Sequence, residues 1–200
     1  MNLRDDINTH LKEAEQIAQT IDREQIEKTI EILQGVRKQG GRLFFVGVGG
    51  SAANASHAAS DFRLTCNIEA YAPLDHVAQL TALTNDHGWE STFILALESS
   101  RLNNKDAIFV LSVGGGSEHT SKNLVLAMDH AKKVGAKILG IVSRDGGMTK
   151  KMADACILVP VVHEERITPH AEGWQVVLIH LLVNALKERE YRWEGLTKGV

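Results

Sequence analysis

Apolar residues recur at three- and four-residue spacing from the start of the chain. Leu3, Ile7, Leu11, Ala14 and Ala18 form one stripe, and Ile26, Ile30, Leu33 and Val36 a second. That period predicts two amphipathic helices over residues 3–39. Asp22 stands at the N-cap of the second, with Gln25 three residues on in a capping-box pattern. Gly40 and Gly41 stop it. The period then changes. Residues 42–46, 106–111, 137–142 and 156–159 are short apolar runs, and residues 68–72 form a weaker one. The first three end in glycine-bearing loops at 47–51, 112–117 and 143–147, each followed by helical spacing: residues 52–62, 118–134 and 148–153. Residues 76–84 and 170–190 predict two further helices.

Continuous apolar strands, each followed by a glycine loop and a helix, are strands covered on both faces in a parallel sheet. The expectation is therefore α/β: a single doubly wound, flavodoxin-like parallel-sheet domain over residues 41–200, preceded by a helical N-terminal arm over 1–40. No repeat or linker divides it. The arm carries an apolar face that the sheet alone does not cover, so oligomer contact is expected there.

Composition narrows the classes. With 22 basic and 25 acidic residues the net charge is −3, which points to neither nucleic acid nor membrane. The segment 176–186 is too short to span a bilayer and contains His180 and Asn184. Met1–Asp6 is polar and acidic, unlike an export leader, so a cytoplasmic protein is expected. Cys66 and Cys156 form no CxxC pair and are expected as free buried thiols. What stands out is 17 glycines and 9 histidines.

In an open parallel sheet ligands bind beyond the C-terminal strand ends, where strand order switches. The loops 47–51 and 112–117 lie at such ends. Glycine lets the backbone approach an anion closely, and a following helix offers free N–H groups. Ser51, Ser112 and Ser117 add hydroxyls, so a phosphate is the expected guest. Residues 47–52 also approach the GxGxxG/A dinucleotide pattern, with Glu69 placed near a ribose-binding acid. Three serines over two glycine turns suit a small phosphate monoester better.

His57 and Asp61 are four residues apart and share a helix face. Glu172 and His180, eight apart, share a stripe on the last helix. An acid and an imidazole on each of two helices suit proton transfer or a divalent cation; a surface ion pair and a satisfied core histidine are the plainer alternatives. Asn85 and Asp86, before His87 and Gly88, read as a turn. Trp89, Trp174 and Trp193 read as packing residues, and the charged run 187–190 as a solvated face.

Taken together, these motifs resemble the sugar isomerase (SIS) domain family. The resemblance runs over nearly the whole chain: the helical N-terminus, the first loop with His57 six residues on, Asn85-Asp86, the second loop, residues 144–147, and the last helix with Glu172 and His180. It implies aldose–ketose isomerisation of a phosphosugar through an enediol, on the branch that converts sedoheptulose 7-phosphate to D-glycero-D-manno-heptose 7-phosphate for lipopolysaccharide, capsule or glycoprotein. It also implies a homotetramer with active sites between subunits and one Zn²⁺ per subunit. The ligand positions fall on His57, Asp61, Glu172 and His180. Catalytic roles fall on Asp61, Glu172 and His180, and substrate contacts on Gly49, Gly50, Ser51, Asn85, Asp86, Ser112, Gly114 and Ser117. The chain departs from the family pattern at Val48 (usually Asn), Asp61 (usually Glu), Glu172 (usually Gln) and across the second loop, which loses two hydroxyls and an amide and is followed by Glu118. The alternatives are an isomerase of a different phosphosugar, or a non-catalytic SIS protein that senses a phosphosugar or binds a replication initiator.

Overall fold

The computed structural model describes residues 3–187. Helices α1 (Leu3–Thr20) and α2 (Arg23–Lys38) come first. Asp22 caps α2: its Oδ1 accepts from the backbone N–H groups of Glu24 and Gln25 at 2.9 and 3.2 Å. Gln25 does not complete the reciprocal box. Its Oε1 instead accepts from the backbone N–H of Cys156, tying α2 to the last strand.

Five strands follow: β1 (Arg42–Gly47), β2 (Glu69–Tyr71), β3 (Ala107–Leu111), β4 (Lys137–Val142) and β5 (Ala155–Leu158). All neighbouring pairs are parallel, in the order β2-β1-β3-β4-β5. This is the doubly wound, flavodoxin-like order, with its switch point between β1 and β3. Leu43, Phe45, Phe109, Leu111, Leu139 and Ile141 point into one core, shared with α2, α3 (Gly50–Thr65), α8 (Ile167–Leu186) and Ile17 of α1. Phe44, Val46, Ile108, Val110 and Ile138 point into the other, against α5 (Thr92–Ser99) and α6 (Lys122–Val134). Covering both faces is what removes the alternation of polar and apolar residues from the strands. Leu33 and Val36 of α2 are buried in the same core as β1, so the second helix of the expected arm forms part of the layer on that face.

Several boundaries differ from the sequence expectation. Helix α5 was not expected: eight residues are too few to display a helical period, although Phe93, Ala96 and Leu97 bury one side of it. Helix α6 starts at Lys122 rather than Glu118, because Ser121 takes a left-handed conformation (φ 52°) that holds residues 117–121 in the loop. Helix α8 starts at Ile167, with Pro169 in the first turn, where a missing N–H costs nothing. Its expected end at Glu190, like Trp193, lies outside the described residues. Asn85 and Asp86 are helical, in the last turn of α4 (Val77–His87), and Gly88 (φ 79°) ends that helix. Helix α7 (Gly147–Met152) follows β4. Among the described residues no helix is long and apolar enough to cross a membrane.

Candidate active site

At the switch point β1 feeds α3 on one face and β3 leads to α6 on the other, so their loops part and leave a crevice. A cavity of about 520 Å³ opens there, lined by Val48, Ser51, Ser112, Val113, Gly114, Thr120, Ser121, Arg144 and Thr168. Residues of both glycine loops line this one cavity. Ser51 is almost fully buried, and Ser112 Oγ accepts from the backbone N–H of Gly115 at 3.1 Å.

The glycine surplus of the second loop has a packing cause. Gly115 has φ 71°, and a methyl group there would strike the carbonyl of Gly146. The Gly115 carbonyl accepts from both the N–H (2.9 Å) and the hydroxyl (2.7 Å) of Thr149, which clamps the loop onto α7. Glycine at this position is what allows the backbone-to-backbone contact.

Not every predicted contact reaches the cavity. Ser117 is exposed; its hydroxyl oxygen accepts from the N–H groups of His119 and Thr120 and closes a local turn. Glu118 is exposed and does not line the cavity. Asn85 and Asp86 are exposed on α4 and bond to each other at 2.7 Å, and neither lines the cavity. Gly49 (φ 66°) turns the chain into α3. Gly50 lies under the carboxylate of Glu172, where a methyl group would collide with it. Glu172 thus places its charge on the N-terminus of α3, where the helix dipole favours an anion.

Thr120, Ser121 and Arg144 are among the lining residues not singled out from sequence. Thr120 and Ser121 were hidden by the misplaced start of α6. Arg144 lies in the matched run 144–147, but nothing in its spacing shows that its side chain crosses Gly114 into the cavity. No hydrogen bond or ion pair engages Arg144 among the described residues. The Rossmann reading loses its support, because Glu69 is the first residue of β2 and pairs with Arg42, the first of β1, at the strand end opposite the glycine loop.

Further along, α3 and α8 bring His57, Asp61 and His180 together. Both Nε2 atoms approach the same carboxylate oxygen, Asp61 Oδ2, at 3.3 Å (His57) and 3.4 Å (His180). The rings meet edge to face with centroids 5.1 Å apart. All three side chains are open to solvent, the two imidazoles about half exposed (46% and 49%). Their ligand atoms lie within 4.8 Å of one another, a spacing that could hold a metal ion. Glu172, the fourth residue of the expected set, is not part of this group.

A second acid–histidine group lies where α1 meets α8. Glu13 receives Arg166 through Nε and a terminal nitrogen (2.8 and 2.5 Å) and His170 Nε2 at 2.8 Å. His10 stacks on His170 at 4.6 Å. The Arg166 hydrogen bonds, helped by His170 and opposed by burial, bring the Glu13 carboxyl down from 4.5 to about 2.

The SIS domain family model matches residues 9–143. The chain belongs to the SIS domain family. This SIS domain is 30% identical over 192 residues to the phosphoheptose isomerase of Geotalea daltonii, covering 94% of this chain and 95% of that one. It is 29% identical over 181 residues to the phosphoheptose isomerase of Helicobacter pylori, covering 82% and 90%. Among solved structures, the phosphoheptose isomerase of Neisseria gonorrhoeae superposes with a TM-score of 0.79 at 25% identity, over 92% of this chain and 98% of that one. The family model spans both glycine loops and α3, and the likeness to these enzymes places this SIS chain among the isomerases.

Proposed function

We propose that the chain is an aldose–ketose isomerase of phosphosugars, converting sedoheptulose 7-phosphate to D-glycero-D-manno-heptose 7-phosphate through an enediol. The observation that carries it is Asp61 of α3, shared by His57 of the same helix and His180 of α8; the first turn of α3 also supplies Ser51 to the crevice cavity. The phosphate docks in that cavity, held by the hydroxyls of Ser51 and Ser112, the backbone of Gly114 and the charge of Arg144. Thr120 and Ser121 complete the pocket.

Both histidines meet Asp61 at Oδ2, which leaves Oδ1 without a partner among the described residues. Oδ1 takes the proton from the carbon beside the carbonyl, and His180 relays a proton to the oxygen. General acid–base help of this kind is worth about 10²–10⁴ in rate. Two imidazoles and a carboxylate suit Zn²⁺, and within one chain they would supply three of its ligands. A bound Zn²⁺ would polarise the carbonyl. Glu172 and His180 are eight residues apart, about 12 Å along α8. Glu172 would therefore complete the ligand set only from a second copy, in the homotetramer that the resemblance implies.

The test is to incubate the purified chain with sedoheptulose 7-phosphate in D₂O, with and without Zn²⁺, beside a panel of shorter ketose phosphates. Deuterium should appear at the carbon next to the carbonyl of the heptulose phosphate, together with the aldose product. Exchange on a shorter sugar alone would move the substrate assignment. No exchange on any of them would end the isomerase reading.

A further inference from the structure

We propose that Gln175 is a positioning residue that fixes Ser51 as a hydrogen-bond donor toward the anion in the crevice, an inference that rests on reading that cavity as the phosphate site. Gln175 lies in the middle of α8 and is fully buried. Burying an amide is costly unless both of its ends are bonded, and here both are. Its Nε2 donates to Ser51 Oγ at 3.0 Å, and its Oε1 accepts from Asn54 Nδ2 at 2.8 Å.

The polarity of this chain of bonds follows from one group that cannot reverse. The backbone carbonyl of Glu172 can only accept, and it takes a hydrogen bond from Asn54 Nδ2 at 2.9 Å. The amide nitrogen of Asn54 therefore faces α8. Gln175 must turn its oxygen toward that nitrogen, since the flipped amide would set two donors against each other. The Gln175 nitrogen then faces Ser51, and the Ser51 oxygen accepts. The hydroxyl proton of Ser51 is left to be given to an acceptor in the cavity that Ser51 lines.

Ser112 on the opposite loop is polarised in the same sense. The N–H of Gly115 can only donate, so Ser112 Oγ accepts it and keeps its own proton for the cavity. Two serines on two loops, each with its oxygen bonded to a donor, present two protons to one space. A dianion recognises that arrangement; a cation or an N–H donor does not.

The test uses the full-length protein and inorganic sulfate, which stays dianionic across the pH range, with binding measured by calorimetry. Gln175→Glu replaces the donor facing Ser51 with an acceptor, so that the serine proton is consumed. Sulfate affinity at pH 8 should fall about tenfold. The loss should shrink to less than about threefold in a Ser51→Ala background, because the effect runs through that hydroxyl. It should also ease as the pH is lowered and the introduced carboxyl regains a proton to donate. With sedoheptulose 7-phosphate, KM should rise while kcat holds. If the variant does not fold by circular dichroism, Gln175→Met takes its place, with an expected loss of about threefold that disappears in the Ser51→Ala background. An equal loss with and without the Ser51 hydroxyl, or no loss at all, overturns the positioning role. If Ser51→Ala weakens sulfate binding and the Gln175 variants do not, the cavity reading stands and the inference falls alone. If the wild type binds neither sulfate nor the phosphosugar, both fall.

Discussion

Two acid–histidine groups in this chain use nearly the same residues for opposite ends. In one, Glu13 faces Arg166, His170 and, through ring stacking, His10; in the other, Asp61 faces His57 and His180. The first carboxylate has both oxygens taken, is buried, and is held well below its ordinary range. The second is 27% exposed and has one oxygen without a partner among the described residues. Saturation separates structure from chemistry here. A guanidinium and an imidazole engage both oxygens of the first carboxylate and hold its charge in place, while two imidazoles leaning on one oxygen of the second leave its other oxygen available. The first group fastens α1 to α8. The second offers its groups to something outside the chain.

The sharpest way to break this contrast is to disable each carboxylate in turn. Asp61→Asn should lower kcat for the phosphosugar at least about 10²-fold while the melting temperature barely moves. Glu13→Gln should leave turnover per folded molecule unchanged. Wild-type turnover in Asp61→Asn would remove the distinction.

Metal should separate the two groups next. Zn²⁺ at a hundredfold excess over its dissociation constant should stabilise the wild type by about 2.7 kcal/mol, with reversal by a chelator. Asp61→Asn and His180→Ala should lose that gain in calorimetry, and His10→Ala should keep it. A gain that follows His10 instead would place the metal in the buried group.

Stability is the third comparison. Glu13→Gln removes charge-assisted bonds from a half-buried clamp, so the expected cost is about 1–3 kcal/mol. In a chain of this size that is on the order of 3–10 °C of melting temperature. Unchanged melting would mean that the clamp does not fasten α1.

The smallest effect is in acid. A carboxyl lowered from 4.5 to about 2 on folding contributes stability that is fully present above pH 4.5 and is lost as the pH falls through 2. The melting-temperature gap between wild type and Glu13→Gln should therefore narrow between pH 4.5 and 2. A constant gap across that window would assign the shift to another group.

Much of the fold was legible because its signals are local. Apolar runs marked all five strands, stripes at helical spacing marked α1, α2 and α6, and an alanine-rich stretch marked α3, to within a few residues. The error at α6 came from one backbone angle. Ser121 in the left-handed region delays the helix and leaves Thr120 and Ser121 lining the cavity, and no residue type announced it. Helix α5 was missed because its burial comes from packing against α6 and not from a period of its own.

The site divides along the same line. Ser51, Ser112 and Gly114, which line the cavity, lie in loops that the sequence places at strand ends, and His57 and Asp61 stand at a four-residue spacing, both of which a chain carries in its order. Ser117 spends its hydroxyl on its own turn, and Asn85 and Asp86 bond to each other on an exposed helix, outcomes that depend on which neighbour is nearest.

By itself, then, the sequence determined that β1 and β3 end in glycine loops and that the acids and imidazoles lie at helical spacing. Only the tertiary structure decided which charges would meet. Pairing α3 with α8 set His180 on Asp61, placed Glu172 over Gly50, and aimed Gln175 at Ser51. Docking α1 on α8 joined Glu13 to a guanidinium 153 residues away. The reason is physical: secondary structure follows from the repeat of side chains along one segment, while the partner of a carboxylate depends on which two segments the core forces together.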